Sequence, residues 1–153
     1  MFLTRLHNFS RLPAAEKTLA ARALGWLVLT RAGLRLLSFN RVHVLIAGRA
    51  PAEMRAGDAW PRAVRRAVLR AARSLPGSSC LAQSLVAERL LRAGGSRARL
   101  SIGVAPADAT IGQAPHAPRV TLDAHAWVES GGVLVTGDDP HERYRILATF
   151  GAE

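Results

Sequence analysis

Apolar positions along this 153-residue chain change their period near residue 97, from a helical spacing to an alternation of every second residue. Residues 13 to 37, "PAAEKTLAARALGWLVLTRAGLRLL", read as one helix. Pro13 suits its first position, because the missing N–H costs nothing there. A short apolar stretch, "RVHVLIA", follows, and "GRAPAEMRAG" then breaks the pattern. Asp58 is placed to cap a helix running to about Arg73, in which Ala63, Val64, Ala67, Val68 and Ala71 form one apolar stripe. Pro76-Gly77 stops it. Ser78 or Ser79 can cap the next helix, whose Leu81, Leu85, Leu90 and Leu91 face the core, and Gly94-Gly95 supplies the left-handed end.

Beyond that point Ala98, Leu100, Ile102 and Val104 alternate with Arg97, Arg99, Ser101 and Gly103, which predicts a strand. A proline-bearing loop follows, and "RVTLDAHAWVES" predicts a second strand over residues 119 to 130. Gly131-Gly132 signals a two-residue hairpin, "VLVT" returns as the third strand, and "YRILATF" supplies a last short one. The fold class is therefore α+β, with N-terminal helices packed on a small antiparallel sheet. The chain divides into an N-terminal helical segment, 1–57, and a core, 58–153, expected to form one compact domain.

Charge changes along the same boundary. Residues 1 to 100 carry 18 basic and 4 acidic side chains; residues 101 to 153 carry 3 and 7. A basic half suits an anionic partner or simply well-solvated helix faces. The eight aromatics do not cluster into a nucleic-acid-binding platform, so no nucleic acid is expected. The most apolar window, residues 19 to 37, is interrupted by Arg22, Arg31 and Arg35, which argues against a membrane-spanning helix but leaves peripheral membrane contact open. With no signal-peptide pattern at the start and a single cysteine, the expected location is cytoplasmic. One cysteine excludes an internal disulfide and a cysteine-based zinc site; neither a metal nor a cofactor is expected.

That cysteine, Cys80, falls at the start of the helix capped by Ser78 or Ser79. Buried single thiols are commonly small packing residues. Here, however, the unpaired N–H groups and positive dipole end of a helix start favour an anion, hence a thiolate nucleophile. The Cys80 N–H can face a substrate carbonyl; Gln83 and Gln113 follow the cysteine and give no evident side-chain oxyanion donor. A base is needed next. His7 and His43 lie in the helical half, His116 in a loop and His141 in a turn, whereas His125 sits on a strand. Its face is shared by Asp123, Trp127 and Glu129, while Ala124, Ala126 and Val128 take the core side. Ser79, Asp123 and Trp127 are accordingly expected around the substrate cleft. If Gly131 and Gly132 are the hairpin loop, paired residue numbers sum to 263 and Asp138 lies opposite His125. A carboxylate there fixes the imidazole tautomer. A loop one residue longer brings in Asp139, and Asp123 is an outside candidate. "GDD" also reads as a plain solvated turn.

Cysteine at a helix start, histidine on a strand, aspartate on the next: this order resembles the transglutaminase-like cysteine enzymes, which are related to papain. More narrowly, "SSCLAQSLVAERLLRAGGSRARLSIGV" followed by "DAHAWVE" is similar to the lasso-peptide biosynthesis B proteins, bacterial leader peptidases. The resemblance covers roughly residues 60 to 150. It implies Cys80 as nucleophile and His125 as general base; the aspartate matches less securely, since a Thr-Gly pair precedes Asp138 and Asp139. It also implies a substrate, the ribosomally made lasso precursor peptide. Two partners follow from it, a separate PqqD-like leader-recognition protein and an asparagine-synthetase-like macrolactam cyclase. The short helical segment ahead of the core suggests the discrete protease form, with no fused recognition domain. The loop from Ala105 to Pro118 is expected to gate the cleft.

Overall fold

The computed structural model describes residues 13–48, 57, 59–106, 122–137 and 143–151. Among these residues four helices and four strands form, and the connections between them are short where they are described. Helix α1 spans Ala14–Leu36, α2 Phe39–Ala47, α3 Ala59–Ser74 and α4 Cys80–Ala93. Strands β1 (Arg99–Pro106), β2 (Leu122–Ser130), β3 (Val133–Thr136) and β4 (Arg145–Phe150) make one antiparallel sheet in the order β3-β2-β1-β4.

Pro13 stands one position earlier than expected. It is the N-cap of α1 with extended backbone, and its carbonyl accepts from the Glu16 and Lys17 N–H groups. The stretch "RVHVLIA" forms most of α2 in spite of its β-branched residues. Val42 and Ile46, four apart, are both buried, so packing overrides local propensity. The predicted stripe of α3 is buried at Val64, Ala67, Val68 and Ala71, with Ala63 half-buried. Asp58, its expected cap, lies outside the described residues.

Helix α4 is the centre of the molecule. Leu85, Val86, Leu90 and Leu91 are fully buried against α1, α2 and α3 on one side and the sheet on the other, while Leu81 is half-buried. Its end is a Schellman turn: Ser96 N–H reaches the Leu91 carbonyl and Gly95 N–H that of Arg92. The left-handed residue is Gly95, at φ +79°, not Gly94. Leu100, Ala126, Val128 and Val135 present the sheet's inner face to this core. On the outer face Ala105, Trp127 and Tyr144 form a second, smaller cluster.

Gly131 and Gly132 make the predicted turn, both with positive φ. The register follows at Ser130–Val133 and Glu129–Leu134, then shifts: Val128 faces Thr136, so Val135 is the extra residue of a bulge. Both Val135 and Thr136 are buried. Strand β1 runs two residues further than expected because Ala105 pairs with Asp123 and is buried under Trp127 and Tyr144. Of the expected gating loop, only Ala105 and Pro106 are described, and both belong to β1. Tyr144, expected as the first residue of the last strand, lies just ahead of β4.

Candidate active site

Cys80 is the first residue of α4 and is half-buried against the core. Of the two serines left open as caps, Ser79 takes the role: its Oγ accepts from the Ala82 N–H at 3.2 Å. Ser78 instead donates its hydroxyl to the Leu75 carbonyl, tying the loop back to α3. Gln83 donates from Nε2 to the Ser78 carbonyl at 3.1 Å, so its amide braces the loop that carries the cysteine. The cap occupies the N–H at Ala82. Helix geometry leaves the earlier N–H groups, including that of Cys80, without an intrahelical acceptor.

One helical turn along, Ser84 fastens α4 to the sheet. Its buried hydroxyl donates to the Ala126 carbonyl at 3.1 Å and lies 3.0 Å from Thr136 Oγ1. Cys80 is therefore about 6 Å along the helix axis from that anchor. His125 is the residue next to Ala126, roughly 3.3 Å along the strand. Both residues thus belong to the stretches of α4 and β2 that flank this one contact. Alternation on β2 turns Ala126 and Val128 to the helices and the His125 ring to the outer cluster. Among the described residues no hydrogen bond joins Cys80 to His125.

The His125 ring is held by aromatics. Tyr144 stacks on it at 5.0 Å between centroids and Trp127 at 6.2 Å. Trp127, expected to line the cleft, is only 2% exposed and supports the histidine from inside. Gly103, directly opposite His125 on β1, leaves the room these rings use: a Cβ there would lie 2.9 Å from Tyr144 Cβ and 3.2 Å from Trp127. Asp123 does not orient the imidazole. Its Oδ2 accepts from the Tyr144 hydroxyl at 2.8 Å and from Arg143 at 2.9 Å, so it fixes the tyrosine that stacks on the histidine.

His125 Nε2 is buried with no hydrogen-bond partner among the described residues. It faces Gly137, where a Cβ would come within 3.1 Å of it and 2.5 Å of Trp127 Cβ. Gly137 also holds φ at +88°, a region that disfavours any side chain. The next two residues are Asp138 and Asp139, which lie outside the described residues. The bulge at Val135 breaks the unbroken register on which pairing of Asp138 with His125 rested, moving it by one residue. Of the other histidines, His43 is committed elsewhere: its Nε2 lies 3.0 Å from the fully buried Glu88 of α4. His7, His116, His141 and Gln113 fall outside the described residues. Sequence reasoning missed Ser84, Tyr144 and Gly137. The signals were a serine one turn after the cysteine, the single tyrosine, and a glycine directly before paired acids.

A helix that begins with a cysteine, laid across an antiparallel sheet that carries a histidine, defines a mixed α+β fold suited to thiol-based acyl chemistry. Residues 25–149 match the family model of the transglutaminase-like superfamily, and the chain belongs to that superfamily. Its members are typically Cys-His-Asp enzymes and include cysteine proteases and acyl transferases. Searches of curated proteins and of solved structures find no match.

Proposed function

We propose that this protein is a cysteine endopeptidase that removes the leader from a lasso precursor peptide, with Cys80 as nucleophile and His125 as general base. The observation that carries the chemistry is the crossing of α4 and β2. There a capped helix start presents the only thiol, one turn from an anchor beside a histidine whose buried Nε2 has no partner among the described residues. The substrate class rests on the likeness of "SSCLAQSLVAERLLRAGG" and "DAHAWVE" to leader peptidases of that pathway.

In this reading Nε2 faces Gly137, and Nδ1 is left to exchange a proton with the thiol. The thiol proton passes to His125, and the thiolate adds to the carbonyl at the leader–core junction. N–H groups at the helix start receive the developing oxyanion. The imidazolium protonates the departing core amine as the C–N bond breaks, leaving a thioester on Cys80. His125 then takes a proton from water, which releases the leader carboxylate and restores the thiol. Thiol–imidazole contacts of this kind commonly tighten only when substrate is bound. A separate recognition protein presents the leader, and a cyclase consumes the freed core.

The test is the rate of iodoacetamide alkylation of Cys80 near neutral pH, in the wild type and in His125→Ala. A loss on the order of 10-fold in the variant is expected. Equal rates would remove the Cys–His pair and with it the enzyme reading. Precursor peptide supplied with the recognition protein then yields a mass for free leader. A leader mass carrying an added amine in place of water would assign the site to acyl transfer instead.

A further inference from the structure

Helix α1 is apolar on two opposite sides. Leu19, Ala23, Leu27 and Thr30 face the core, whereas Ala21, Gly25, Val28, Ala32 and Leu36 are all exposed. The second set recurs at intervals of four, three, four and four, which keeps it on one stripe of the helix. Soluble helices ordinarily place charged and polar residues there. Arg22 and Arg35, both exposed, border the stripe on its two sides. Helix α2 continues the pattern: Val44 and Leu45 are exposed and Arg41, one turn earlier, is exposed beside them.

The aliphatic side chains project outward. Leu36 is 81% exposed, Val44 76% and Leu45 68%, so most of each side chain is uncovered. A helix from another protein needs a groove to seat in. Protruding leucines and valines fit a deformable surface instead. The charge is one-sided as well. The only acidic side chain on α1 and α2 is Glu16, at the far N-terminal end, and it is tied to Arg66 and Arg70 of α3. No described helix is long and apolar enough to cross a membrane. Exposed aliphatics bordered by arginines are the pattern of helices that lie in the headgroup layer.

We infer that the outer face of α1 and α2 docks on an anionic lipid surface, Leu36, Val44 and Leu45 entering the acyl boundary and Arg22, Arg35 and Arg41 meeting the phosphates. This inference is independent of the leader-peptidase reading. Co-sedimentation of the full chain with vesicles of equal parts phosphatidylglycerol and phosphatidylcholine tests it. Binding is expected to those vesicles and to be lost to pure phosphatidylcholine. Replacing Arg22, Arg35 and Arg41 together by Gln should weaken it on the order of 100-fold, since each contributes roughly fivefold at an anionic surface. The triple change Leu36→Glu, Val44→Glu and Leu45→Glu should abolish it, with the melting transition and Cys80 alkylation rate unchanged. Failure of the wild type to bind, or undiminished binding by the glutamate variant, would overturn the inference. So would a wild-type dimer that the glutamate variant converts to monomer, because the face would then belong to a second copy of the chain.

Discussion

His125 depends on neighbours that hold its ring and leave its nitrogens free. Tyr144 supplies a face, and Asp123 fixes Tyr144 through a 2.8 Å hydrogen bond. Two substitutions separate these contributions. Tyr144→Phe keeps the ring and removes the hydroxyl, so it should cost about 1 kcal/mol of stability and leave turnover nearly unchanged. Tyr144→Ala removes the surface against which the imidazole lies, and turnover should fall on the order of 10-fold through misplacement of the base. Urea unfolding reads the first effect, and leader release or Cys80 alkylation the second. Equal activity of the two variants would show that the stacking has no positioning role. The places of Cys80 at a helix start and of His125 on a strand were legible in the sequence because each stood in a local pattern, a helix cap and a strand alternation. Asp123 and Trp127 were singled out as cleft residues, but their contacts with Tyr144 and His125 were not legible, because these bring together residues far apart in the chain on one face of the sheet.

Helix α4 carries both the thiol and the packing core, so its ends govern the site. At its start the Ser79 cap satisfies the N–H of Ala82 and sets the direction in which Cys80 leaves the loop. Ser79→Ala should lower stability by about 1 kcal/mol, while Ser79→Gly should cost only a few tenths. The urea midpoints of the two variants decide it; equal losses would mean the hydroxyl is not the stabilising group. The serine cap of α4, its glycine stop and the Gly131-Gly132 hairpin were legible because they are short-range signals, whereas Pro13 stands one position off its expected place. The bulge at Val135 was not, since nothing local marks it. It arises where Val135 and Thr136 both turn inward, one filling the core and one meeting Ser84. A single inserted residue thereby displaced the expected partner of His125.

At the scale of the whole molecule, Glu88 is a fully buried acid on α4, set between His43 and Arg92. Burial pushes its carboxyl above the ordinary value of 4.5; Arg92 and His43 pull down and do not cancel the effect. An acid raised in the folded state stabilises the fold fully below its unfolded value, and that contribution is lost as pH rises through the folded value. The urea midpoint of the wild type, measured against Glu88→Gln, should therefore fall as pH rises above the ordinary carboxyl value of 4.5. A difference that stays constant as pH rises would show that Glu88 does not titrate with folding. Glu16 behaves oppositely. The Arg70 hydrogen bond holds its carboxyl below the ordinary value, so its contribution is present at neutral pH and lost on acidification. The α+β architecture was legible from the change of hydrophobic period alone. The apolar outer stripe of α1 was not, because a helix apolar on two sides looks in sequence like one buried on both.

The lone cysteine has a consequence for oxidative damage. Within these 153 residues no second thiol exists to condense with an oxidised Cys80. A sulfenic acid formed there can be trapped as a disulfide only by a thiol from outside the chain, such as glutathione. Without one, further oxidation to the sulfinic state is irreversible by ordinary means. Recovery after peroxide exposure is thus set by the thiol supply of the surroundings and not by any device within the fold.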